Sequence, residues 1–303
     1  MPGHGAEPDT ARDTHFHPSF GEPGASFTYL PKHLDAACAS DDAPRLPIVL
    51  PDAPMYMLFA HRQWRAGLLL SDAIYSRAFE LTNQNVLELG AGTGLPALTA
   101  ALCSGAKKVV ATDYDDASIL AALRANVQRT LAINPPGAPL VVAPHTWGHA
   151  MDDVLDLLSA RTPSYFDAIL LADCVWERFS HAALVKSIAT LLARTPTARV
   201  YMVAGLHTGR ATLVHFFREM LGAGFVLTRV PGAWPACTEH AADEYLRGAG
   251  HILELEVDGA LDGGGRAPGV SGVRRPFAVH TAEEEPVEVR NHWLTVSCFQ
   301  WPM

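Results

Sequence analysis

Between Val86 and Val230 the chain alternates short apolar runs with segments whose apolar residues recur at helical spacing. VLELG, KKVVATDY, PLVVAPHTW, FDAILLADCVW, ARVYMVAGLH and FVLTRV read as strands. LPALTAALCSGA, DDASILAALRANVQRTLA, MDDVLDLLSA, SHAALVKSIATLLA and GRATLVHFFREMLGAG read as the helices between them. The first helix is expected to end near Gly105 and the second to start near Asp116 or Ser118. The strands are Val/Ile/Leu-rich with little polar alternation, which predicts a mostly parallel sheet covered on both faces. Strand–helix alternation of this length predicts a doubly wound α/β domain. Ligands of such sheets lie beyond the C-terminal ends of the strands.

The pattern differs on either side. Residues 1–53 are rich in Pro, Gly, Asp and His without a sustained period, and read as an arm disordered at its start. His15 and His17 lie in that arm, where an isolated HxH is more often incidental than a metal ligand. Residues 54–303 read as one domain. It begins with helically spaced apolar residues interrupted around WRAG. After Val230, HILELEV and VRNHWLTVSCFQW read as strands able to close the sheet edge in antiparallel fashion. A Gly-rich, charged insertion at 258–287 separates them. No internal repeat is present.

Composition narrows the function. Apolar residues make up 49% and charged residues 18%, an ordinary globular balance. A formal net charge of −9 argues against a nucleic-acid partner held through phosphate contacts. The five cysteines form no CxxC pair, so no zinc site or redox dithiol is expected, and their use fits a reducing compartment. The N-terminus has no secretory h-region, and no apolar run reaches the ~18 residues of a membrane span. A cytoplasmic protein is the expectation.

The stretch VLELGAGTG places three glycines, Gly90, Gly92 and Gly94, at alternate positions after a strand. Leu95 stands where the dinucleotide fingerprint has its third glycine, and Pro96 suits the first helical position. Glu88, two residues before Gly90, would place anionic charge toward the site. That is unhelpful beside a pyrophosphate and useful beside a cationic sulfonium. Asp113 ends the next strand, where an acid accepts hydrogen bonds from ribose hydroxyls. Tyr114 is placed to pack beside an adenine. Singly each signal is weak, since Glu88 could be a rim charge and Asp113 the cap of the following helix. Together they favour S-adenosylmethionine over NAD.

These residues resemble a known family. VLELGAGTGLP followed by VVATDY looks like the opening of a class I, seven-strand methyltransferase, a Rossmann-like sheet whose last strand is antiparallel. WRAGLLLSDAI, HTWG, FDAILLADCVW…SH and EEEPVEVRNHWLTV are similar, in order and spacing, to one fungal branch of the lysine methyltransferase-like family. Enzymes of that branch also carry the name nicotinamide N-methyltransferase. Its members methylate the N-terminus and an adjacent lysine of translation elongation factor 1-alpha. The resemblance covers roughly residues 54–235 and 283–301.

It implies S-adenosylmethionine as cofactor, with Glu88, Gly90, Gly92 and Gly94 in its loop and Asp113 on the ribose. Trp147 would pack against adenine and Trp64 would line the methionine end. Ala172, just before the acid of ADCV, joins the cofactor group. Asp173 and Trp176 match the family's acid-x-x-aromatic motif, where the acceptor amine arrives, although the family usually has Tyr or Phe in the place of Trp176. Glu177, Arg178 and Phe179 depart from the asparagine and histidine of the fungal branch. Trp147 and Trp176 could equally be core aromatics.

The chemistry expected is methylation of a lysine or N-terminal amine of a protein, elongation factor 1-alpha being the partner implied. The protein is expected to be a monomer without nucleic-acid or membrane partners. ADCV lacks the Asn/Asp-Pro-Pro-aromatic signature used on amide and exocyclic base nitrogens, and no nucleophile elbow appears. Two other readings remain: a methyltransferase of small nicotinamide-like amines, and a non-catalytic binding protein built on the cofactor fold.

Overall fold

The apolar runs form the inner strands of a nine-stranded sheet, and the helical segments cover its two faces. The computed structural model describes residues 18–35, 38, 42–52, 62–135, 137–158, 164–230, 252–257, 270–277 and 285–303. The strands are β1 (Ser19–Phe20), β2 (Ser26–Tyr29), β3 (Leu46–Val49), β4 (Gln63–Trp64), β5 (Asn85–Leu89), β6 (Lys108–Asp113) and β7 (Leu140–Pro144). They continue with β8 (Ala168–Ala172), β9 (Arg199–Gly205), β10 (Val226–Thr228), β11 (Leu253–Val257), β12 (Val270–Pro276) and β13 (Trp293–Gln300). The helices are α1 (Arg65–Tyr75), α2 (Leu95–Cys103), α3 (Ala117–Ile133), α4 (Met151–Asp156), α5 (His181–Leu191), α6 (Arg210–Gly222) and α7 (Val287–Arg290).

Strands β9, β8, β5, β6 and β7 are parallel neighbours in that order. β13 runs antiparallel to β9 and closes this core, as the doubly wound reading expects. The far flank of β13 is shared. β11 pairs with its first half and the three-residue β10 with its last three residues. β12 then pairs with β11, so the sheet has nine strands, one more than the eight read along the sequence and two more than the seven-strand resemblance implies. The extra strand β12 lies inside the Gly-rich insertion and shows no periodic pattern, because an edge strand needs only backbone partners on one side. The C-terminal strand also starts later than its sequence suggests: Val289 and Arg290 lie in α7.

Alternate residues of each inner strand enter opposite cores. Leu87, Leu89, Ile169, Leu171, Val200 and Met202 pack with Leu184, Ile188, Phe216 and Phe217 of α5 and α6. Val86, Ala168, Leu170, Tyr201 and Val203 pack with Leu69, Leu70, Ile74, Ala97 and Ala100 of α1 and α2. Helix α3 starts where the sequence suggests. Asp116 is its N-cap, accepting hydrogen bonds from the backbone N–H groups of Ser118 and Ile119.

Part of the segment read as an arm packs on the domain. Tyr29, Leu46 and Ile48 are fully buried against Leu68, Leu95, Leu98 and Val127. The Tyr29 hydroxyl donates to the Leu68 carbonyl at 3.0 Å and to the Asp72 carboxylate. Asn126 joins β3 with a peptide-like pair, accepting from Val49 N–H and donating to its carbonyl, each at 2.9 Å. Residues 1–17, with His15 and His17, and residues 53–61, which open the expected domain, lie outside the described residues.

One buried ionic cluster ties the C-terminal motif to the sheet. Arg210, the first residue of α6, donates from Nη2 to Glu254 of β11 and to Glu285, each at 3.0 Å. Arg210 and Glu254 are buried, and a second Arg210–Glu254 contact runs through Nη1. Glu254→Gln keeps the shape and removes one charge facing the guanidinium. It is expected to cost about 1.5–3 kcal/mol of stability, the scale of a hydrogen bond to a charged group, read as a lowered urea midpoint at unchanged slope.

Candidate functional site

Four chain segments converge at the C-terminal ends of β5, β6, β7 and β8 around a cavity of about 370 Å³. This volume lies within the ordinary range for a small-molecule site. The glycine loop forms its base. Gly90, Gly92 and Gly94 all have positive φ, at 66°, 52° and 81°. A Cβ on Gly92 would meet nothing within 4 Å, so this glycine opens onto the cavity. A Cβ on Gly90 would lie 3.0 Å from Cys174 Sγ and 3.2 Å from Trp147 Cζ2, so its bareness lets that tryptophan close over the loop.

Asp113, at the end of β6, holds the loop from the other side. Its Oδ2 accepts from Gly92 N–H at 2.6 Å and its Oδ1 from Tyr114 N–H at 2.7 Å. Burial raises its pKa, and these two backbone hydrogen bonds pull it back. An ionised carboxylate offers about four acceptor sites, so both oxygens keep capacity for a ligand hydroxyl. Tyr114 is 47% exposed at the mouth, and Trp64, the residue before α1, lines the wall.

Two expected cofactor residues are placed elsewhere. Glu88 does not line the cavity. Its position in β5 turns it toward the α1–α2 face, where it is 1% exposed and its Oε2 accepts from Ala97 N–H at 2.9 Å. It therefore satisfies a free backbone donor in the first turn of α2, while burial pushes its pKa well up. Gly94 is the residue before α2, and a Cβ there would lie 2.5 Å from Leu123 Cδ1 of α3. Its left-handed φ of 81° and this close approach both favour glycine here. The remaining expected residues, Trp64, Gly90, Gly92, Asp113, Tyr114, Trp147, Ala172, Asp173 and Trp176, all line the cavity.

Asp173 follows the last residue of β8 with φ of 57°, a left-handed conformation uncommon outside glycine but open to Asp and Asn. Its Oδ1 accepts from Gly205 N–H of β9 at 3.0 Å. Its Oδ2 is buried and has no hydrogen-bond partner among the described residues. Burial raises the carboxyl's pKa, and the nearby His207 imidazole lowers it. Cys174 pins this turn to β5 through a 3.0 Å contact from its thiol to the Leu89 carbonyl, and burial holds it as a thiol. Trp176 and Glu177 then form the rim, and Phe179, 85% exposed, stands on the 3₁₀ turn Arg178–Ser180.

The cavity also takes residues that the sequence reading passed over. His145 and Thr146 line it from the loop after β7, and Arg62 from the position just before β4. His145 Nε2 meets Ser187 Oγ at 2.9 Å, and Ser187 also accepts from Gly148 N–H at 2.8 Å, which fixes the loop carrying Trp147. His207, two residues beyond β9, stacks on Trp64 with ring centroids 4.9 Å apart. Both histidines sit just past strand C-termini, but only His145 lines the cavity, and His207 stands behind Trp64.

The lysine methyltransferase family model matches residues 57–222, more than half of the chain. The chain belongs to the lysine methyltransferase family. Within this family it is 33% identical over 147 residues to the Schizosaccharomyces pombe protein N-terminal and lysine N-methyltransferase efm7, covering 48% of this chain and 56% of that one. The corresponding Yarrowia lipolytica protein is 34% identical over 182 residues, covering 54% and 63%. The Kluyveromyces lactis protein is 30% identical over 200 residues, covering 60% and 73%. The chain spans about half the length of the first of these relatives, 56% of the S. pombe protein and 46% of its Cryptococcus neoformans counterpart. The family match takes in every residue of the cavity wall named above and ends with α6.

Proposed function

We propose that this family member is an S-adenosylmethionine-dependent protein N-methyltransferase acting on a lysine or N-terminal amine, with translation elongation factor 1-alpha as its acceptor. The observation that carries the reading is Asp173: a buried carboxylate with one committed and one uncommitted oxygen, in the same cavity as Asp113 and the open Gly92. The wall suits S-adenosylmethionine. It offers bare backbone at Gly90 and Gly92, an acid at Asp113, and aromatic faces at Trp64, Tyr114 and Trp147. Bound there, S-adenosylmethionine supplies an electrophilic methyl group on its sulfonium.

The protein's own groups do the remainder. Asp113 would accept the ribose hydroxyls, Trp147 would cover the adenine and Trp64 would border the methionine end. Asp173 Oδ2 accepts an N–H of the acceptor, aims its nitrogen and takes a proton from it. That step matters because a lysine amine (pKa ~10.4) is almost wholly charged at neutral pH, whereas an α-amine (pKa ~8) is partly neutral. The face of Trp176 attracts a methylated ammonium that has lost its donors, by about 0.5–2 kcal/mol. Holding the amine in line accounts for much of the rate. The protein acts as a cytoplasmic monomer, with no nucleic acid or membrane as partner. Among the described residues no helix is long and apolar enough to cross a membrane.

Incubating the protein with methyl-labelled S-adenosylmethionine and a lysate lacking its own methylation tests the reading. Label in a protein band at the size of elongation factor 1-alpha is the expected result. Label confined to small molecules would replace it with the small-amine reading, and cofactor binding without any label would leave a binding protein.

A further inference from the structure

We propose that His207 is the positioning residue of the acceptor site, acting through Asp173. Its Nδ1 and the uncommitted Oδ2 both border Gly205, and the ring acts electrostatically on the carboxylate that receives the proton of the amine. The inference rests on the methyltransferase reading for the identity of the amine, but the pairing itself does not.

Three observations converge on it. Asp173 Oδ2 and His207 Nδ1 are both buried, and both lack a hydrogen-bond partner among the described residues. Buried polar atoms in that state are uncommon and ask for a reason. The two atoms also share a neighbourhood. They lie 3.5 Å and 2.6 Å from the place where a Cβ on Gly205 would stand. A side chain at 205 would crowd both atoms, so the glycine is what leaves room for the two groups on this face of the turn. Finally, both side chains are held in place. Gly205 N–H clamps Asp173 Oδ1 at 3.0 Å, and Trp64 stacks on the His207 ring at 4.9 Å and 23°.

His207 is not part of the cavity wall, whereas Trp64 and Asp173 are. It therefore reaches an acceptor only through the carboxylate. An N–H bond of the acceptor ammonium breaks, its proton passes to Asp173 Oδ2, and the lone pair stays on nitrogen. The carboxylic acid then loses its proton to solvent, which restores the carboxylate. Arg62, Asp113, His145, Cys174 and Glu177 line the same cavity. The influences on the Asp173 carboxyl are burial first, which raises its pKa, then His207, which lowers it.

His207→Phe tests this, because it keeps a ring against Trp64 and removes Nδ1. Two readouts are needed on the full chain: the Asp173 carboxyl carbon followed by NMR against pH, without cofactor or acceptor, and steady-state kinetics. The variant is expected to move the Asp173 titration to higher pH. It should also lower kcat about 10- to 100-fold while the cofactor KM stays within about threefold. An unmoved titration overturns the proposal whatever happens to kcat, since His207 would then only support Trp64. A moved titration with kcat unchanged overturns the catalytic role. If the unaltered protein methylates no amine while the titration still moves, the methyltransferase reading fails and the pairing stands. Should His207→Phe not fold, His207→Asn carries the same two readouts, because an amide cannot become cationic.

Discussion

Asp173→Asn is expected to bind S-adenosylmethionine within about twofold of the unaltered protein and to turn over ~10²–10³-fold more slowly, the scale of a lost general base. The substitution is close to isosteric. Asn tolerates φ near 57° and still offers an oxygen to Gly205 N–H, so the turn after β8 keeps its shape. What disappears is the negative charge and the basic oxygen at Oδ2. Burial already raises the Asp173 pKa, so the basic form gains population as pH rises through that raised value. The wild-type rate should therefore climb with pH on its acid side, and the Asn variant should lose that dependence on residue 173. Calorimetric binding and single-turnover rates separate the two effects. Undiminished turnover would remove Asp173 from the chemistry.

Asp113→Ala is expected to weaken cofactor binding by at least ~100-fold. The carboxylate holds the Gly92 and Tyr114 backbone N–H groups at 2.6 and 2.7 Å, and the reading assigns it the ribose hydroxyls as well. Hydrogen bonds to a charged group are worth about 1.5–3 kcal/mol each, and 1.4 kcal/mol is tenfold in affinity. Without the latch, Gly92 loses its fixed position at the base of the cavity. Asp113→Asn keeps an acceptor oxygen and should lose less. Calorimetry gives the affinities, and the thermal midpoint of the ligand-free protein shows whether the fold has suffered. Binding of the Ala variant within about threefold of wild type would show that the cavity is not organised around this acid.

The central sheet was legible in the sequence because its strands are buried on both faces and so read as unbroken apolar runs. The same property hid the direction of Glu88. Polar alternation normally shows which face a residue takes, and a doubly covered strand has none. The parity that sends Val86 and Glu88 toward α1 and α2 is set by partners distant in sequence. Gly94 was misread for a related reason. Three glycines at alternate positions look equivalent in a sequence, but Leu123, on a different helix, claims the space beside one of them. His207 was hidden by distance: Asp173 follows β8 and Gly205 ends the adjacent β9, and only sheet pairing brings that imidazole near the acid. The placement of Asp113, Asp173 and Trp147 on one cavity was legible because each ends or closely follows a strand recognisable from composition alone. The buried stretch 26–49 was not, since its apolar residues are few and spaced by Pro and polar groups, and they gain a core only against α1, α2 and α3.

The most direct test is a mass spectrum of purified, unmethylated elongation factor 1-alpha after incubation with S-adenosylmethionine and either the wild-type protein or Asp173→Asn. The account predicts methyl increments on the N-terminal amine or a lysine with wild type, and on neither with the variant under the same conditions. An unmodified elongation factor in the presence of wild-type protein that binds the cofactor would contradict it.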